Sequence, residues 1–231
     1  CRSVGWKGID MESPNLREFH LVGWVLLSGA IVFWIGAGSP PYKQWSSPLQ
    51  EYLEIVGRHK INWYWTHACF VIGLLLTLFG LRILTVTLRD SGQVLMPELG
   101  FTGFFFGSLL WILSIAFRVT AELQAGIETV QTGIMPAWIE PLHRWSGLMF
   151  AIYMVLAYLS IAAYGEAIVQ TNLIAMWAGK LGLYFGLVGA VLFVVRFPVF
   201  APPLMIHLPF AIIGFLLIRK YPGNRLMSTL K

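Results

Sequence analysis

Residues 140–165 read EPLHRWSGLMFAIYMVLAYLSIAAYG, a polar mouth of Pro141, His143, Arg144 and Trp145 followed by about twenty residues with no charge among them. At ~1.5 Å per residue a helix of that length covers the ~30 Å hydrocarbon core of a bilayer. Five more stretches follow the same pattern, at about 20–38, 63–88, 98–118, 172–195 and 203–218. The 231 residues are therefore predicted to form one all-α integral membrane domain, a six-transmembrane-helix bundle.

Composition agrees and removes other classes. With 57% hydrophobic and 12% charged residues and a mean hydropathy of +0.71, the chain has too few charges to cover a soluble surface. Lys and Arg exceed Asp and Glu by 16 to 11, yet they form no basic cluster of the kind that holds nucleic acid, so the expected partner of these cations is the lipid headgroup. Cys1 and Cys69 make neither a disulfide framework nor a CxxC site. Cys69 reads as a packing residue. Cys1 is either ordinary or the lipidated first residue of a processed lipoprotein.

The connections carry pattern of their own. Ser47, Pro48 and Gln50 look like a capping box with proline at the first helical position, and Leu49, Tyr52, Leu53 and Val56 then share one face. This predicts a short helix on the membrane surface. Residues 120–131 keep a helical period, with Leu123, Ile127, Val130 and Ile134 on the apolar side and Glu122 and Glu128 elsewhere, which predicts a helical extension or a second interfacial helix. Pro209 should kink the last span near Met205.

Small residues mark close packing. Gly100, Gly103, Gly107 and Ser114 share a face of the third span, and Ala175, Gly179, Gly182, Gly186 and Gly189 form a longer stripe on the fifth. Six spans put both termini on one side. That side carries nine Lys and Arg against six on the other, which favours an inner (plasma) membrane protein with cytoplasmic termini. Lipidation of Cys1 would reverse the assignment.

Spans two, four and six then start outside, and His67, His143 and His207 should occupy one layer of the outer leaflet. His143 leads Gly147 and Ala151, and His207 leads Ala211 and Gly214, so a flat macrocycle would fit beside either. One reading makes His143 and His207 the axial ligands of a b-type haem, or either of them the ligand of a chlorin magnesium, with His67 the weakest member of the set. The other reading makes all three interfacial histidines bonded across helices. In carrying histidines on several helices the chain resembles membrane cytochromes b, a likeness confined to these three residues. It departs from the two-haem pattern, because only His20 lies near the inner face. Lys180, inside the fifth span, either snorkels to the headgroups or meets an acid or a partner subunit.

Catalytic motifs do not appear: there is no GxSxG elbow, P-loop or GxGxxG, and Asp occurs only at Asp10 and Asp90. The expected function is a subunit or scaffold of a larger membrane assembly, without catalysis of its own. The first alternative is an electron-transfer subunit carrying one haem, with a quinone or redox partner at the outer face. The second is a small-solute transporter, for which no inverted half-repeat is visible.

Overall fold

The computed structural model describes residues 16–39, 48–196 and 203–221, which are helical throughout apart from short turns. The helices are α1 (Leu16–Ala37), α2 (Leu49–Arg58), α3 (Lys60–Asp90), α4 (Leu95–Phe117), α5 (Leu123–Thr132), α6 (Ile139–Thr171), α7 (Met176–Arg196) and α8 (His207–Lys220). A π-turn, Arg118–Glu122, joins α4 to α5 without a break, and a 3₁₀ turn, Pro203–Ile206, precedes α8. Five of these helical segments are long and apolar enough to cross a membrane: 18–37, 60–90, 95–132, 139–171 and 176–195. The stretch expected as a sixth span begins with the 3₁₀ turn Pro203–Ile206 and runs into α8, whose 14 residues are short of the ~20 that a straight α-helical crossing takes. Pro209 sits in the first turn of α8, where its missing N–H costs little. The winding changes from 3₁₀ to α just ahead of it, close to the expected kink.

The long helices pack in the order α8, α1, α3, α4, α6, α7, with a lighter contact between α7 and α8 and a separate pairing of α2 with α5. Glycine sets the closest approaches. A Cβ on Gly73 would lie 2.8 Å from the Gly29 carbonyl oxygen, one on Gly23 2.7 Å from that of Gly214, and one on Gly186 2.5 Å from the backbone of Tyr158 and Ala162. Both predicted stripes thus face α6: Gly107 meets Leu156 and Tyr153 from α4, and Gly179, Gly182 and Gly186 meet the Tyr158–Gly165 region from α7. The start of α1 and the end of α8 lie together, with Phe19 stacked on Tyr221 at 4.7 Å and His20 Nδ1 donating to the Tyr221 carbonyl at 2.9 Å. His20 is half-buried there.

The short helices differ in detail from the expectation. Pro48 is the residue before α2 and not its first, while Ser47 and Cys1 lie outside the described residues. The expected capping box rests on Ser47 and so lies outside the described residues, while Gln50 Nε2 donates to the Gly133 carbonyl at 3.3 Å. Gly133 ends α5 at φ 72°, a left-handed conformation suited to glycine. On α5 the buried residues are Leu123, Ala125, Gly126 and Thr129, whereas Val130 and Ile134 are exposed. The cause is α2, whose Gly57 lies directly on the Gly126 backbone, so small residues and not bulky ones make this contact.

Candidate functional site

At the end of the bundle where α2 and α5 pair, a second small core forms around Tyr52, Leu53, Val56, Trp63, Leu123 and Ile139. One carboxylate is sealed inside it. Glu122 is fully buried, and both of its oxygens accept hydrogen bonds: Oε1 from His143 Nδ1 at 2.6 Å and Oε2 from the Tyr52 hydroxyl at 2.6 Å. The π-turn aims it there. A π-turn adds a residue to the winding and so re-aims the side chains that follow, and such turns recur at functional sites. Glu122 ends that turn and points inward, although the helical period assigned it to a polar side. The Trp63 indole N–H donates to the Arg118 carbonyl at the start of the same turn, at 3.0 Å.

Three elements therefore converge on one anion: α2 through Tyr52, the α4–α5 segment through Glu122, and the first turns of α6 through His143. Burial, and after it the neighbouring Glu122 charge, holds the Tyr52 phenol well above its usual pKa, so the phenol stays the proton donor. His143 is the accessible member, with its side chain 35% exposed. A carboxylate can only accept, so Nδ1 carries a proton and the ring is held in one orientation. Arg144 pairs with Glu140 at 2.6 Å on the exposed side of the same helix.

The other two predicted histidines lie elsewhere. His67 is buried about two turns into α3, its Nδ1 donating to the Trp63 carbonyl at 2.8 Å and its ring 4.2 Å from the Trp63 ring. Trp63 belongs to the core, while its neighbours Tyr64 and Trp65 are exposed. His207 is fully buried against Phe33, with ring centroids 4.0 Å apart, and its Nδ1 is 3.3 Å from the Thr77 hydroxyl. That hydroxyl gives its proton to the Gly73 carbonyl at 2.9 Å, so His207 Nδ1 is the donor and Nε2 is a bare acceptor with no partner among the described residues.

The expected common layer is not what the structure shows. His143 touches Tyr52, which touches Trp63 near the start of α3, whereas His207 touches Thr77, fourteen residues and about 21 Å further along that helix. One iron between His143 and His207 would need their ligating nitrogens about 4 Å apart, given metal–nitrogen bonds of ~2 Å. The pair does not fit a shared haem. The reason is the short α8, which places His207 in the middle of the bundle and not at its rim. A file of ring contacts through Tyr52, Trp63, Phe70 and Phe33 joins the three imidazoles.

Lys180 is the fifth residue of α7 and is exposed. Among the described residues no three His, Cys, Asp or Glu side chains gather as a metal site. Glu122 and Tyr52 are the site residues that sequence reasoning missed. The available signal was Arg118 four residues before Glu122, a charged pair at one-turn spacing where a span was expected to end. No protein-family model, curated protein sequence or solved structure matches the chain.

Proposed function

We propose that the chain is a six-span inner-membrane protein with both termini in the cytoplasm, serving as a non-catalytic subunit or scaffold of a larger membrane assembly. The six-span count draws on two features. The start of α1 and the end of α8 share one end of the bundle, which supports an even number of crossings. The 3₁₀ turn and α8 together rise about 29 Å, at ~2.0 and ~1.5 Å per residue, close to the hydrocarbon thickness. On this reading α2 and α5 lie at the outer interface.

The observation that carries the scaffold reading is α7. It is the least buried of the five long helices. Its glycine face is locked onto α6, while Trp177, Tyr184, Val188 and Val191 face outward. Lys180 stands among these outward groups and makes no ion pair among the described residues. A cation on an apolar, outward helix face suits a partner helix that carries an acid near the cytoplasmic interface.

Native gel electrophoresis of membranes dissolved in a mild detergent tests this. The chain is expected to migrate in an assembly well above its own 26.0 kDa, and Lys180→Glu to release it. Migration as a lone chain, or an assembly indifferent to Lys180→Glu, would reject the proposal. The electron-transfer alternative, with its quinone or redox partner, would now have to rest on a haem or chlorin held by His143 alone. An optical spectrum of the purified chain decides that.

A further inference from the structure

His20 stands one helical turn before Trp24 on α1, and both of its ring nitrogens are engaged. Nδ1 lies 2.9 Å from the carbonyl oxygen of Tyr221, the residue after α8, and Nε2 lies 3.0 Å from the Trp24 indole nitrogen. These two partners leave no choice of tautomer. A carbonyl oxygen only accepts, so Nδ1 carries the proton, and an indole N–H only donates, so Nε2 offers its lone pair. Neutral His20 satisfies both partners at once, and its ring meets that of Trp24 edge to face with centroids 6.3 Å apart.

A second proton on this ring has one place to go. It binds Nε2, and the acceptor that Trp24 uses becomes a donor facing a donor. The indole bond cannot survive that change, whereas the bond from Nδ1–H to the Tyr221 carbonyl gains the help of the ring's charge. The junction is also held by the stacking of Phe19 on Tyr221 and by Lys220, whose Nζ donates to the Leu173 carbonyl at 2.7 Å in the turn after α6. Neither contact uses the His20 lone pair. The bond to Trp24 lies on the exposed side of the junction, so a proton reaches Nε2 without any helix moving. The charged groups at this end of the bundle are Glu18 on α1, Arg89 and Asp90 on α3, and Arg219 and Lys220 on α8, all exposed. Arg82 pairs with Glu98, Glu166 accepts from Gln170, and no ion pair to His20 forms among the described residues. The change of bonding therefore follows the charge of the imidazole itself, which histidine takes up between about pH 8 and pH 5.

We propose that His20 is a proton-operated latch on Trp24: the neutral ring holds the indole against α1, and the protonated ring releases it while keeping α1 fastened to the end of α8. Protonation turns a closed, neutral pair on the outer face of α1 into a cation beside a free indole N–H. A patch whose donors were both in use then offers two, from Nε2 and from the indole.

The test is proton–nitrogen NMR of the full chain in detergent micelles, following the indole N–H signals of its ten tryptophans, with that of Trp24 identified by its loss in Trp24→Phe. From about pH 8 to about pH 5 the Trp24 signal is expected to move to higher field, as a hydrogen bond is lost, along the same curve as the ring protons of His20. His20→Gln supplies an amide N–H for Tyr221 and a carbonyl oxygen for Trp24 and does not titrate, so the Trp24 signal should stay at the bonded position at every pH. His20→Phe should leave it at the free position throughout. The contact between the Phe19 and Tyr221 rings, read as a nuclear Overhauser effect, should persist across the range. A Trp24 signal that stays still in the parent chain, one that titrates equally in His20→Gln, or loss of the Phe19–Tyr221 contact on acidification would each overturn the proposal.

Discussion

Glu122→Gln probes the sealed site with the smallest change of shape. The carboxylate accepts at both oxygens, from His143 and from Tyr52. A glutamine has one oxygen to accept with, and its NH₂ must then face either the Tyr52 O–H or the His143 Nδ1–H, donor against donor. One charge-assisted bond is lost and the other becomes neutral. Hydrogen bonds to charged groups contribute ~1.5–3 kcal/mol and neutral ones ~0.5–1.5 kcal/mol, so the expected loss of stability is about 2–4 kcal/mol. Tyr52→Phe removes one donor and leaves one buried oxygen unpaired, at a cost of about 1–3 kcal/mol. The double variant is the sharper measurement. With Phe at position 52 the glutamine can turn its oxygen to His143 and its NH₂ to the vacancy, so the two losses should fall short of additivity by at least about 1 kcal/mol. Unfolding by SDS titration in mixed micelles, followed by tryptophan emission, reads all four proteins, and Trp63 stands beside the site as reporter. A Glu122→Gln midpoint equal to the parent's, or strictly additive losses, would refute the account of Glu122 as the point where α2, the α4–α5 segment and α6 are pinned together.

Three further outcomes are expected. Gly186→Ala places a methyl 2.5 Å from the Tyr158 carbonyl oxygen and the Ala162 nitrogen, and overpacking of this kind costs ~1–3 kcal/mol; Gly147→Ala meets nothing and should gain up to ~1 kcal/mol, so equal thermal midpoints would contradict the seam assignment. His207→Leu removes a buried acceptor that has no partner among the described residues, worth ~1–3 kcal/mol, together with the long Nδ1–Thr77 bond, worth ~0.5–1.5 kcal/mol, so the midpoint should rise by the equivalent of about 1 kcal/mol; a fall of more than about 1 kcal/mol would reveal a group bonded to Nε2. A reduced-minus-oxidised spectrum of the purified chain should contain no band that His143→Ala and His207→Ala each abolish, because the two rings are too far apart to share one iron.

What could be read from the residues, and what could not, follows from the range of the forces involved. Hydrophobic length and glycine spacing are properties of one helix at a time. The long apolar stretches and the faces of Gly107 and Gly179 were legible because a lipid-spanning helix needs no partner to define its length, and a small residue at a contact leaves a period-four trace. Tyr52, Leu53 and Val56 were legible as one face of α2 for the same reason. The apolar side of α5 was not: its bulky residues predicted one face, and the close contact of Gly57 with Gly126 turned another inward. Glu122 failed for a related cause. Its orientation depends on five residues of π-winding, and the regular helical period assumes that no such residue is inserted. The depth of His207 depends on where a short helix begins relative to a long neighbour, and counting inward from span ends assumes that all spans begin at one plane. His143 was recognisable as a candidate by position, but its chemistry belongs to a carboxylate twenty-one residues earlier in the chain. Where a site is assembled from helix ends, composition places the helices in the membrane, while winding and offset decide which side chains meet. That is why an imidazole can be located from its own segment and its working partner cannot.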